Sequence, residues 1–211
     1  MKHPGPARAG GWAVGVVMWL VVVTGGMALL ARHSLTPGAS RGAPEAWPAS
    51  ARLPRVEGRP LLLMLAHPHC PCTRASLGEL EVLMAHAGGR LDAVVLFVAP
   101  PGTPRDWTRS PLWRSATAIP GVTVLEDVGG ERARLFGAVT SGQSLLYDAA
   151  GRLRFQGGMT LARGHRGDNP GRSAVEALLR EEAGGTGGLS ENAVYGCALE
   201  DSPEARAQNT P

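Results

Sequence analysis

Two cysteines separated by one proline, Cys70-Pro71-Cys72, with His67 and His69 just ahead of them, are the residues of this chain whose types and spacing suit chemistry. A thiol at the start of a helix faces unsatisfied backbone N–H groups and the positive end of the helix dipole, which lowers its pKa and raises its thiolate fraction. Such a sulfur is either a nucleophile toward disulfides or a ligand for a soft metal ion. In the redox role Cys70 attacks a partner disulfide or sulfenate and Cys72 resolves the product. Cys197 is then a second resolver or a spare, and no cofactor is required. A Cys70–Cys72 bond would close a small, strained ring, more easily reduced than a structural disulfide and suited to an oxidant or isomerase rather than a strong reductant. In the metal role Cys70, Cys72 and a histidine such as His69 hold Cu(I), for which thiolates are the preferred ligands. The chain has 3 cysteines, so a Cys70–Cys72 pair leaves Cys197 free, whereas a pair with Cys197 leaves one front cysteine available.

These residues need a strand and a helix to position them. Pro60-Leu-Leu-Leu-Met-Leu-Ala66 is a continuous apolar run of the kind a buried strand shows. From Cys72 to His86 apolar residues at 77, 80, 83 and 84 share one helical face, which leaves Glu79 and Glu81 for a solvated face. Leu91-Asp-Ala-Val-Val-Leu-Phe-Val98 is a second buried-type strand, so the three elements predict a parallel βαβ unit. A Pro-rich loop over 99–104 leads to a short helix capped by Asp106, in which Trp107 and Trp113 are expected as core or loop anchors. Gly121–Leu125 reads as a third strand, Glu131–Phe136 as a helical turn, and Ser144–Tyr147 as a fourth strand. Arg152–Gln156 should pair antiparallel with that strand across Asp148-Ala-Ala-Gly151. A final amphipathic helix over 173–182 ends at Gly184-Gly185, and Ala193–Leu199 is apolar enough to dock back on the domain.

Around this domain the chain carries appendages. Residues 11–31 lack any charge and match the length of a membrane-crossing helix, longer than the ~7–15 apolar residues of a cleaved signal peptide. The expected organisation is a cytoplasmic tail over 1–10, a transmembrane anchor over 11–31 and a flexible tether over 32–57. A folded domain over 58–183 and a C-terminal tail over 184–211 carrying Cys197 follow. Basic residues flank the apolar run on both sides. A short tail leading into it commonly stays in the cytoplasm, so the domain is expected on the extracytoplasmic, periplasmic side. The net charge is +3 and nearly all of its positive residues are scattered arginines, which predicts no nucleic-acid partner. Partners are instead expected to be the membrane, through 11–31, and an extracytoplasmic protein substrate or redox partner.

The apolar strand, the Cys-Pro-Cys-Thr-Arg start of the helix and the later Leu145-Leu-Tyr-Asp-Ala-Ala-Gly151 together resemble membrane-anchored, extracytoplasmic members of the thioredoxin-like superfamily, over roughly residues 58 to 183. The resemblance implies an α/β fold, a central mixed sheet flanked by helices, behind one N-terminal transmembrane helix. It also implies thiol–disulfide oxidoreductase activity, with Cys70 and Cys72 catalytic. Aligning Pro71-Cys72 with the superfamily's Pro-Cys puts His69 where the first cysteine of Cys-x-x-Cys belongs and leaves Cys70 as an additional thiol. The proline that usually faces the cysteines is absent, and Gly142 aligns there, leaving more room opposite the thiols. Copper-delivering members of the superfamily use a distant histidine, which in this chain implies His165 beside Cys70, Cys72 and His69 as Cu(I) ligands. A third possibility is a non-catalytic binding module that keeps the fold.

Between the hairpin and the last helix, residues 157–171 concentrate glycines with Arg163, His165 and Asp168, and this loop is a candidate frame for the site, together with His67 and Gly142. It lacks the Gly-Lys-Ser ending of a phosphate-binding loop. His86, at a helix end, suits the helix dipole. No paired carboxylates or Ser-His-Asp set point to a hydrolase.

Overall fold

The structure, a computed structural model, describes residues 7–181 and 188–200, with side chains from residue 11 onward. It falls into two units, one ending at Thr36 and the other beginning at Pro37. The first is a single helix, α1 (Ala7–Leu35). Its stretch Gly11–Leu35 has 25 residues, and an 18-residue window within it has a mean hydropathy of 2.3. At ~1.5 Å per residue that is ~37 Å, longer than the ~30 Å hydrocarbon core of a bilayer, so the helix is long and apolar enough to cross one. It runs past the expected end at residue 31, and Arg32 and His33 in its last turn suit the negative end of the dipole.

In the second unit β1 (Leu61–Ala66) feeds α2 (Pro71–Ala87), and β2 (Asp92–Ala99) returns parallel to β1. The short helices α3 (Arg105–Thr108) and α4 (Pro111–Thr117) lead to β3 (Val122–Val128), again parallel. Where a single helix capped by Asp106 was expected there are two. Pro111 cannot continue a helix from α3, and Ser110 accepts the Trp113 N–H to start the second. After α5 (Glu131–Leu135), β4 (Gln143–Tyr147) and β5 (Leu153–Gly157) form the expected antiparallel hairpin. α6 (Pro170–Glu181) and the two-residue β6 (Ser190–Glu191) complete a sheet of order β3-β2-β1-β4-β5-β6. Helix α6 begins at Pro170 rather than residue 173, because Asn169 accepts the Arg172 N–H at 2.8 Å.

Alternate residues of β1 serve opposite faces, as strand geometry requires. Leu62, Met64 and Ala66 pack with Leu80, Leu83 and Val175 of α2 and α6, while Leu61, Leu63 and Leu65 face Phe136, Tyr147 and Leu53. Among the described residues the α-helix on that second face is the five-residue α5, and much of the remaining cover comes from the segment expected as a flexible tether. Trp47 lies 5.2 Å from the Phe136 ring and 5.1 Å from Tyr147. The Tyr147 hydroxyl donates to the Pro44 carbonyl, and Ala51 and Leu53 are buried. Trp47 N–H and Leu153 N–H bond to Gly151 and Glu45 carbonyls. A Pro- and Gly-rich composition fits this irregular, extended cover as well as it fits a linker. The domain therefore begins at Pro37 rather than residue 58. At its other end, residues 188–200 add β6 and an antiparallel bridge between Thr140 and Ala198.

Asp148 governs the hairpin turn. Its carboxylate accepts the Arg152 N–H and Nε, with Arg154 Nη1 at 3.7 Å. Burial disfavours the charge, but these bonds and the Arg152 guanidinium outweigh it and hold the carboxyl below its ordinary pKa. A depressed pKa in the folded state means stabilisation that is full above the unfolded value of ~3.9 and lost as the pH falls through the folded one. Asp148→Asn is expected to cost about 1–3 kcal/mol near neutrality. That deficit should shrink to nothing in acid, as read from unfolding of both proteins across pH; a deficit independent of pH would refute the charge's role.

Candidate thiol site

Strand β1 ends at Ala66, and the turn His67–His69 delivers Cys70 to the N-cap of α2, with Pro71 in the first turn. The turn is held by hydroxyls. Ser141 Oγ accepts the His67 N–H at 2.8 Å and bonds Thr73 Oγ1 at 2.7 Å, and Thr73 Oγ1 also donates to the His67 carbonyl. Thr73 and Ser141 are both fully buried. Neither was a sequence candidate; the only signal was Thr73 in the first turn after the cysteines.

Cys70 is buried, Cys72 half-buried, and the third sulfur comes from the C-terminal segment: Cys197 Sγ stands 2.7 Å from Cys70 Sγ. All three sulfurs lie within 4.8 Å of one another. Residues 197–199 run antiparallel to 139–141, with Ser141 N–H bonded to the Cys197 carbonyl and Leu199 N–H to that of Val139. Val194 and Leu199 bury their side chains on either side of Cys197. Gly196 lets this segment lie against the domain, since a Cβ there would sit 1.9 Å from the Ser141 carbonyl oxygen.

The room expected opposite the thiols is thus filled. Gly142 takes φ +90°, donates its N–H to Leu65, and faces Ser76, whose Oγ would be 2.6 Å from a Cβ. Ser141 beside it carries the contact with the cysteine segment. Arg163 lies beside the thiols: its guanidinium donates to the Gly196 carbonyl and its charge favours thiolates at Cys72 and Cys197. His67 and His69 belong to a different cluster. Their rings lie 5.6 and 4.6 Å from Trp107, and His69 Nε2 is 2.9 Å from the Trp107 carbonyl oxygen. Among the described residues the group of donors close enough to share a metal holds three sulfurs and no histidine. His69 and His165 are therefore replaced by Cys197 as the third potential ligand, and His165 is exposed.

The sulfurs differ in acidity. Burial disfavours a thiolate on Cys70, but the thiol and backbone N–H of Cys197, with smaller contributions from the nearby Thr73 N–H and hydroxyl, outweigh it and lower its pKa. Burial, then the hydrogen bond and charge of Cys70, push Cys197 up to about 12. Burial and the Cys70 charge also raise Cys72. The set is arranged to hold one thiolate, at Cys70, solvated by its neighbours.

Glu79 was expected to be solvated and is buried. It accepts from the Gly167 N–H at 2.8 Å, from Asn169 Nδ2 at 3.1 Å, and from the Arg172 guanidinium. This clamp explains much of the unusual composition of the 157–171 loop. Gly171 allows contact with the Gly158 carbonyl, where a Cβ would be 2.0 Å away.

No family model matches the chain, and no curated protein does. Among solved structures it is similar to an uncharacterized conserved protein from Geobacillus kaustophilus, with TM-score 0.58 and 17% identity over 81% of this chain and 95% of that one. A hypothetical protein from Sinorhizobium meliloti matches with TM-score 0.51 and 21% identity over 79% of this chain and 93% of that one. The sheet order β3-β2-β1-β4-β5, with β1 to β3 parallel, the β4–β5 hairpin antiparallel and the cysteines at the start of the helix after β1, is a thioredoxin-like fold. A secreted Mycobacterium tuberculosis disulfide oxidoreductase homologous to DsbE of E. coli is more distantly similar, at TM-score 0.42 and 14% identity over 59% of this chain and 82% of that one. At these identities the likeness concerns the fold alone, and the site has to be read from its own residues.

Proposed function

We propose that this chain is a membrane-anchored thiol–disulfide oxidoreductase acting on extracytoplasmic protein thiols or disulfides, with Cys70 as the nucleophile. The observation that carries the reading is a buried thiol at the N-cap of α2 with two further sulfurs within 4.8 Å, in surroundings that lower its pKa. In the forward step the Cys70 thiolate attacks one sulfur of a substrate disulfide, the substrate S–S bond breaks, and the other sulfur leaves as thiolate. A second thiol of the protein, losing its proton, then attacks the Cys70 sulfur and expels the bound substrate thiolate. The substrate gains two electrons and the protein loses two. The reverse sequence oxidises a substrate dithiol. In this reading α1 is the membrane anchor and the domain works on the periplasmic side, where such disulfides persist.

The three-sulfur cluster also supports a second reading, a carrier that holds Cu(I) through Cys70, Cys72 and Cys197. The two readings part in one experiment on the purified full chain in detergent: free thiols are counted with and without reductant, and copper is assayed in the same sample. The oxidoreductase reading expects one reducible cysteine pair and no stoichiometric copper. Stoichiometric Cu(I) with all thiols otherwise reduced would overturn it in favour of the carrier. Neither a reducible pair nor metal would leave a binding module on a thioredoxin-like scaffold.

A further inference from the structure

We infer that Cys197, not Cys72, is the resolving cysteine, so that the oxidised protein carries a Cys70–Cys197 disulfide and the segment 193–199 is part of the catalytic site. The inference rests on the redox reading above and names the second thiol that it requires.

The placement of Cys197 is built. Its flanks are tied by an antiparallel bridge at Ala198, by backbone bonds from Ser141 and Leu199, and by the guanidinium of Arg163 on the Gly196 carbonyl. The approach depends on a residue without a Cβ at position 196. Its sulfur needs to move by less than about an ångström to go from 2.7 Å to the ~2.05 Å of a disulfide bond. Cys72 is a poorer partner on two grounds. A Cys70–Cys72 bond would close a small ring over Pro71, whose φ is locked. It would also distort the first turn of α2, where the Thr73 N–H bonds the Cys70 carbonyl at 3.1 Å. Cys197 reaches Cys70 from 127 residues away, with no ring constraint on its backbone.

The step balances. After Cys70 attacks a substrate disulfide, the Cys197 thiol gives its proton to solvent and its sulfur attacks Cys70. The Cys70–substrate bond breaks, the substrate sulfur leaves as thiolate, and the Cys70–Cys197 bond remains.

The test uses the reduced full chain in detergent and one equivalent of a chromogenic aryl disulfide, which releases one coloured thiolate on attack and a second on resolution. The wild type is expected to release both and to yield a Cys70–Cys197 linked peptide in a non-reducing map. Cys72→Ser is expected to give the same linked peptide. Cys197→Ser is expected to stop after the first release, with the aryl adduct on Cys70. A Cys70–Cys72 peptide in the wild type, or full second release from Cys197→Ser, would overturn the inference while leaving the redox reading standing. The wild-type map, in which all three thiols compete, decides the pairing even if Cys197→Ser fails to fold. First release at the wild-type rate from Cys70→Ser would instead defeat the redox reading itself.

Discussion

Cys70→Ser is expected to slow disulfide exchange by on the order of 10³-fold or more, the scale on which an enzyme loses its reacting atom. No other substitution in the site should match it. The thiolate is the reactive species, and Cys70 is the sulfur whose surroundings favour it: Cys197 and Thr73 supply hydrogen bonds that outweigh the cost of burial. Burial pushes the neighbouring thiols the opposite way and persists when Cys70 is replaced, so they are poor substitutes for it as the first nucleophile near neutrality. The pH profile carries the same information. Because the charged form reacts, alkylation at Cys70, followed by mass spectrometry, should rise with pH and level off on the acid side of the ~8.5 of a free thiol. Removal of the Thr73 hydroxyl, as in Thr73→Val, should move that inflection toward the alkaline side. An inflection at or above the free-thiol value in the wild type would mean that the hydrogen bonds do not outweigh burial.

Glu79→Ala is expected to destabilise the domain by about 3 kcal/mol, the low end for breaking a buried ion pair by removing one partner. The Arg172 side chain is only 11% exposed and would lose its main counter-charge. Asp168 at 2.8 Å and Glu176 at 3.5 Å still face it, which limits the loss. The Gly167 N–H and Asn169 Nδ2 would lose an acceptor as well. Because this clamp fixes the loop that bears Arg163, alkylation of Cys72 and Cys197 in the variant should become slower as the guanidinium drifts from them. Denaturation of the two proteins measures the first effect and mass-resolved alkylation the second. A stability change within about 0.5 kcal/mol, the range of ordinary surface substitutions, would mean that water replaces the carboxylate at no cost.

The burial of Glu79 and the docking of the expected tether have one origin. On α2, Glu79 falls off the apolar stripe, and helical periodicity assigns such a position to solvent. The 157–171 loop then folds over it, and its partner Arg172 is 93 residues away. Residues 37–57 have no period at all, so composition suggested a linker, whereas the half-covered face of the sheet gives Trp47, Ala51 and Leu53 a place to bury. In the same way, His69 and His165 were attractive ligands by type and proximity in sequence, yet Trp107 holds one and the other is exposed.

What the amino-acid sequence determined by itself is everything encoded in short-range pattern. This comprises the membrane-length apolar helix, the βαβ unit that sets Cys70 at a helix start, the Asp148–Gly151 hairpin and the closing amphipathic helix. Each follows from the spacing of apolar residues and from turn chemistry within about a dozen positions. The composition of the thiol site was decided only by the tertiary structure. Cys197 meets Cys70 across 127 residues because a glycine permits close backbone approach at Ser141 and because Val194 and Leu199 find cavities to fill. Neither requirement leaves a periodic trace in the chain, since both are satisfied by surfaces that exist only once the sheet has formed.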